Sequence, residues 1–284
     1  MTPTLFREKK VNKTLEKKGY VRFPFLSTSA VEALRMAFMQ HKQSTGEGFC
    51  ATMFSDDVKY RQWANELICQ AFNTAFTKYC QPQFHLLYGN FMVKYPGEDS
   101  KMPLHQDWTY IEETQNSRSY AIWIPLQDLH GENGSLEVLE GSHRAGNQWR
   151  GPGTTCPFQE HEPLIREQGM LSAQHLKTGE AIVWDHRLAH ASPPNLTNTP
   201  RIAVTAIITP KDEQTLHCVI PDEAKEHGQI VLTDSSFYTH YTIGDIADYP
   251  RSAQFQREYA KTTLQDIKRW REKALSRGFL FSKW

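Results

Sequence analysis

Apolar positions along the chain change their period twice. In "STSAVEALRMAFMQHKQ", Val31, Leu34, Met36 and Phe38 recur at close to helical spacing. Ser29 and Glu32 precede them at the separation of a capping box. "YRQWANELICQAFNTAFTKYC" repeats the pattern with Trp63, Leu67, Ile68, Phe72 and Phe76. Residues 1–81 therefore read as mainly helical. The middle of the chain reads differently. "FHLLYGNFMVKYPG", "SYAIWIPLQDL", "GSLEVLEGSHR", "GEAIVWDHRLAH" and "RIAVTAIITP" are short β-branched and aromatic runs bounded by Gly, Pro, Asn and Asp, which predicts strands and turns. Successive strands without helical patterns between them point to a sandwich or barrel rather than a doubly wound sheet. "LTDSSFYTHYTIGDIADYP", residues 232–250, has no clear period and reads as a lid. From Ser252, "SAQFQREYAKTTLQDIKRWREKALS" returns to a helical pattern. No Pro/Gly/Ser linker divides the chain. The expected organisation is one mainly β domain with flanking helices: a helical part at 1–81, a β core at about 82–217, and a lid with a C-terminal helix at about 218–284.

Composition narrows the function. Hydrophobic residues make up 39% of the 284, enough for a sizeable core. The formal net charge is zero, so the chain lacks the basic footprint of a nucleic-acid binder. Five cysteines, an odd number with no C-x-x-C pair, argue against a disulfide framework or structural zinc and fit a reducing compartment. No apolar run approaches the roughly 18 residues needed to span a bilayer. "MTPTLFREKKVNK" has no apolar signal region. The expectation is a cytoplasmic protein acting on a small molecule, with no membrane or nucleic-acid partner.

Candidate chemistry begins at "PLHQDWTY". On a strand, residues two apart share a face, so His105 and Asp107 can aim at one point. With 12 His and 12 Asp among 284 residues, about 0.5 His-x-Asp triplets are expected by chance, so the pair alone is a weak signal. The second half of the chain adds to it. "GEAIVWDHRLAHASPPN" carries His186 and His190, and Arg201 opens the next strand eleven residues after His190. Two His and one carboxylate form the facial triad of non-haem Fe(II) oxygenases, which leaves positions open for a bidentate 2-oxo acid and dioxygen. The far carboxylate of such a co-substrate needs a fixed cation, and an Arg fork suits it. His186 lies four residues before His190 and could face the same side of the strand. His143, in "EGSHR", reads as a turn or packing residue.

Taken together, these segments resemble the phytanoyl-CoA dioxygenase (PhyH-like) family of Fe(II)/2-oxoglutarate-dependent oxygenases, over roughly residues 15–210. "LEKKGYVRFPFLSTSAVEALRMAF" is similar to the family's opening strand and helix, "LHQD" to its H-x-D motif, "GENGSLEVLEGSHR" to its turn-strand segment, and "GEAIVWDHRLAHASPPNLTNTPRIAV" to its closing segment. The resemblance implies a double-stranded β-helix (jelly-roll, cupin-like) core. It implies His105, Asp107 and His190 as iron ligands and Arg201 as partner of the 2-oxoglutarate C5 carboxylate. It also implies Ser192 as a hydroxyl assisting that Arg and Trp123 as an aromatic lining the co-substrate site. The implied reaction consumes O2 and 2-oxoglutarate, hydroxylates an unactivated C–H bond, and releases succinate and CO2, with ascorbate as an activator in vitro.

For the primary substrate, Tyr88 and Asn90 on one strand, Trp108 and Tyr110 after the H-x-D motif, and Tyr238 and His240 in the lid are the candidates. Lys94 reads as a solvated strand-end residue. Competing outcomes are a same-fold halogenation, desaturation or ring formation, a non-oxidative cupin-type enzyme, and a binding module without turnover. Intact Asp107 opposes the halogenase, which needs that position for halide, and Arg201 opposes an isomerase, which has no 2-oxo acid to hold.

Overall fold

The computed structural model describes residues 4–41, 46–219, 227–240, 251–256 and 262–276. Helices α1 (Lys9–Lys18), α2 (Thr28–His41) and α3 (Val58–Tyr79) bracket strands β1 (Tyr20–Pro24) and β2 (Phe49–Ala51). The core strands are β3 (Phe84–Lys94), β4 (Met102–His105), β5 (Tyr120–Pro125) and β6 (Leu136–Val138). After α4 (Glu162–Glu167) come β7 (Ser172–Gln174), β8 (Glu180–Asp185), β9 (His190–Ser192) and β10 (Arg201–Pro210). The chain continues through β11 (Leu216–Val219), β12 (His227–Leu232), α5 (Phe237–His240), β13 (Arg251–Gln256) and α6 (Leu264–Leu275).

Two antiparallel sheets form the double-stranded β-helix. One has six strands in the order β1-β8-β5-β10-β3-β2, the other four in the order β4-β9-β6-β7. Side chains alternate across the larger sheet, as a pleat demands. Ile122, Ile124, Val183 and Val204 point to the helical side and pack with Val31, Leu34, Ile68 and Phe72. Ala121, Trp123, Ile182 and Trp184 point the other way and pack with Leu136 and Val138 of the smaller sheet. The central strands are thus covered on both faces, and every residue of β5 and β10 is buried. That double cover is why they read as continuous apolar runs rather than alternating ones. No helix among the described residues is long and apolar enough to cross a membrane.

The N-terminal part is mainly helical, with the short strands β1 and β2 between its helices. Several other expectations are corrected. The cap of α2 is Ser27, whose carbonyl accepts from Val31 N and whose Oγ accepts from Ala30 N at 3.2 Å, in place of Ser29 with Glu32. Met36 faces solvent. The expected lid and tail contain a third sheet, β11-β12-β13. Arg251–Gln256 is a strand because Phe255 packs on Leu216, Cys218 and Ile230 across that sheet, a tertiary contact that overrides the local helical pattern. The C-terminal helix starts later, at Leu264, behind a capping box of Thr263 and Asp266. Residues 241–250 of the proposed lid lie outside the described residues.

Candidate functional site

Strand pairing brings the two histidines together. β4 and β9 run antiparallel with His105 directly opposite His190, and their ring centroids lie 4.2 Å apart. His105 Nδ1 is 2.8 Å from Pro103 O, and His190 Nδ1 is 3.0 Å from Leu188 O. A carbonyl only accepts, so each Nδ1 carries the proton and each Nε2 keeps its lone pair for a metal. Asp107 Oδ1 lies 3.7 Å from His190 Nε2. Its Oδ2 accepts from the Trp184 indole N–H at 2.6 Å. One donor atom from each of His105, Asp107 and His190 falls within 4.8 Å of the others. Asp107 is not on the strand with His105: β4 ends at His105, and residues 106–110 are irregular.

The electrostatics suit a divalent cation. Burial pushes His105 down to about 4, aided by neighbouring His190. Burial opposes ionisation of Asp107, but His190, His186, His105 and the Trp184 bond outweigh it and hold the carboxyl below its usual value. Near neutral pH the cluster therefore offers a neutral imidazole at His105 and a charged carboxylate, the protonation state that metal ligation requires.

Arg201 borders the same cavity, together with Trp123 and Ser192. Its guanidinium sits 5.2 Å from the Trp123 ring centre, and it is only 3% exposed. It forms no ion pair among the described residues, and its Nε is buried without a hydrogen-bond partner. Burial draws it down to about 9. A buried cation without a counter-charge is costly, and an entering carboxylate would relieve it. The two nitrogen donors, one carboxylate and one orphaned guanidinium thus fit an iron ion and 2-oxoglutarate.

Of the remaining candidates, Asn90 and Tyr110 line the cavity, whereas Tyr88, Trp108, Tyr238 and His240 do not. Tyr88 is buried behind the wall, 6.0 Å from Tyr238. Trp108 packs edge-on against His217 at 5.3 Å. Tyr238 donates to Leu216 O at 3.2 Å. His240 is exposed, with Nε2 at 2.7 Å from Gln62. His186 borders the cavity but is not in the donor cluster. Its Nδ1 meets Ser119 Oγ at 2.7 Å and its ring lies 4.8 Å from Tyr110. β8 ends at Asp185 and the chain turns before β9, so His186 and His190 do not share a strand face. His143 is buried against Glu16 O at 3.0 Å.

Lys94 is a correction: it is fully buried, not solvated. Its Nζ donates to Ser100 O at 2.5 Å, Pro193 O at 2.7 Å and Ser192 O at 3.2 Å, which ties down the loop after β9. β3 is flanked by β10 and β2, so its last residue remains inside. Trp184 is a residue that sequence reasoning missed. It lies in a strand of buried apolar residues, where nothing local distinguishes an indole bonded to a ligand from ordinary core.

Buried imidazoles predict acid lability. Burial lowers His143, His186 and His217 to about 4 each. In the unfolded chain such groups take up a proton near pH 6.5. Between these values the unfolded chain holds more protons, so stability falls as pH drops. Urea unfolding of the metal-free protein at pH 7 and pH 5 is expected to differ by on the order of 2 kcal/mol per group. Equal stabilities at the two pH values would contradict this.

Residues 15–203 match the family model for phytanoyl-CoA dioxygenase (PhyH). The chain belongs to this family. Among curated relatives, phytanoyl-CoA dioxygenase domain-containing protein 1 of Danio rerio is 27% identical over 42% of the chain and 43% of its own length. The Dictyostelium discoideum homolog is 31% identical over 37% and 39%. The matched region spans less than half the length of these relatives. Among solved structures, EvdO2 from Micromonospora carbonacea var. aurantiaca, complexed with 2-oxoglutarate, superposes with a TM-score of 0.53 at 20% identity over 78% of this PhyH-family chain and 98% of that one. HygX from Streptomyces hygroscopicus, with nickel and 2-oxoglutarate bound, gives 0.53 at 14% over 72% and 88%. The carbocyclase SnoK from nogalamycin biosynthesis gives 0.53 at 18% over 73% and 86%. At these identities the likeness is one of fold.

Proposed function

We propose that this PhyH-family chain is an Fe(II)/2-oxoglutarate-dependent oxygenase that hydroxylates a C–H bond of a small or mid-sized metabolite. The observation that carries this reading is the juxtaposition of the His105–Asp107–His190 donors with a buried, unpaired Arg201 in one cavity. His105 and His190 hold the metal through Nε2, and Asp107 through the oxygen not bonded to Trp184. Arg201 pairs with the far carboxylate of 2-oxoglutarate, Trp123 covers the guanidinium, and Ser192 lines the same end. When bound, the iron and 2-oxoglutarate use dioxygen to supply the oxidant, with succinate and CO2 as by-products. The chain's contribution is to orient one C–H bond toward the metal and to exclude water.

On the substrate side, Asn90 Oδ1 is buried without a hydrogen-bond partner among the described residues, and Tyr110 lines the same cavity. An N–H or O–H of the substrate is the partner this oxygen needs. Asp107 occupies the position that a halide would take, which favours hydroxylation over halogenation. Ring formation and desaturation use the same site and separate from hydroxylation by their products.

Two measurements test the proposal. Succinate release from 2-oxoglutarate with Fe(II) and ascorbate, stimulated by a metabolite extract, is expected of an oxygenase and not of a binding module or a non-oxidative cupin-type isomerase. Under labelled dioxygen, the product is expected to gain one labelled oxygen by mass spectrometry. A chlorinated product, or one that gains no oxygen, would replace hydroxylation with another outcome.

A further inference from the structure

Strand pairing places His105 and His190, but it does not place Asp107, which lies past the end of β4. A ligand on irregular backbone needs separate support, because metal affinity depends on how firmly each ligand is oriented. That support comes from residues 147–151, which belong to neither sheet of the core. Arg150 Nε donates to the Asp107 carbonyl at 2.8 Å. The same guanidinium grips Glu113 with both terminal nitrogens, at 3.0 and 2.7 Å. Arg150 is 3% exposed and Glu113 8%. The backbone is stitched alongside: Thr109 N donates to Arg150 O at 2.8 Å, and Arg150 N donates to Thr109 Oγ1 at 3.0 Å. At Gly151 an added Cβ would lie 1.8 Å from Cys218 O, so this segment is pressed against β11 and has little room to drift.

A buried ion pair is a weak stabiliser, because desolvation offsets most of its Coulomb energy. What a bidentate fork offers is fixed geometry. Here two N–H groups grip Glu113 and another donates to Gln148 O, while the Nε–H holds the ligand's own backbone and Trp184 fixes the far carboxylate oxygen. We propose that Arg150, locked by Glu113, is a positioning residue that sets where the Asp107 carboxylate meets the metal. The inference rests on the metal reading of the His105–Asp107–His190 cluster.

The test is a Mn(II) titration of the metal-stripped full chain, followed by electron paramagnetic resonance and paired with a melting curve of the metal-free protein. Arg150→Lys keeps a positive charge against Glu113, but a single ammonium lacks the planar fork that spans Glu113 and the Asp107 carbonyl. The Mn(II) Kd is expected to rise by about 10–100-fold, while the metal-free melting temperature stays near the wild-type value. Unchanged affinity in the folded variant overturns the inference, as does a fall in affinity that only tracks a fall in melting temperature. Should Arg150→Lys not fold, Thr109→Val decides, since it removes the hydroxyl that holds the Arg150 backbone N–H and the Gln148 carbonyl of the same segment. Weaker Mn(II) binding by that variant supports the role, and wild-type affinity overturns it. A wild type that binds no Mn(II), or a His105→Ala variant that binds it normally, sinks the metal assignment itself and this inference with it.

Discussion

Alanine at His105, Asp107 or His190 is expected to abolish 2-oxoglutarate turnover and metal binding, whereas alanine at His186 is expected to leave metal binding in place. The first three side chains present donor atoms within 4.8 Å of one another, and both imidazoles are held by Nδ1 so that Nε2 faces the cluster. Loss of one ligand from a set of three should exceed the roughly 10–100-fold cost of losing an outer partner. His186 is buried too, but its Nδ1 is committed to Ser119 and it lies outside the donor cluster. His186→Ala leaves that hydroxyl without its partner, a stability cost of about 1–3 kcal/mol, and removes no metal donor. Calorimetric titration with an oxygen-inert divalent metal on all four variants distinguishes them. A His186 variant without affinity beside a His190 variant with normal affinity would reassign the ligand.

Arg201→Met is expected to raise the 2-oxoglutarate requirement by two to three orders of magnitude while metal binding is retained. Removing one partner of a desolvated charge pair costs about 3–5 kcal/mol, and each 1.4 kcal/mol is tenfold in affinity. The sign of the stability change is equally informative. Without co-substrate, Arg201 is a buried cation whose Nε has no partner among the described residues, so exchanging it for an apolar side chain of similar length should leave the metal-free protein no less stable. In the wild type, 2-oxoglutarate at about 100 times its Kd should add about 2.7 kcal/mol, and the variant should lose this increment. An unchanged KM for 2-oxoglutarate, or a variant still stabilised by it, would place the co-substrate anchor elsewhere.

Most of the β core was legible because burial on both sides of a sheet leaves its mark on composition. β5 and β10 fall within the runs "SYAIWIPLQDL" and "RIAVTAIITP". Elements whose identity depends on distant partners were not legible. Residues 252–256 carry a pattern compatible with a helix, and only the docking of Phe255 onto Leu216 and Ile230 makes them a strand. Lys94 looked solvated because a Lys at a strand end usually is. Its three carbonyl acceptors are Ser100, six residues on, and Ser192 and Pro193 at the end of β9, 98 and 99 residues away. Tyr238 and His240 carried suitable chemistry in a segment without periodicity, yet α5 packs the first against Tyr110 and turns the second to solvent.

The sequence by itself determined the kinds of donor available and their order along the chain, because ligand chemistry is a local property. The tertiary structure decided which groups meet. Antiparallel register set His190 opposite His105 and a turn after Asp185 kept His186 apart, although the two candidates are only four residues from each other. It also placed Asp107 through Arg150 and Trp184 rather than through the strand, and enclosed Arg201 without a counter-charge among the described residues. Convergence of this kind depends on pairings between residues 40 to 100 positions apart, and no local pattern encodes them.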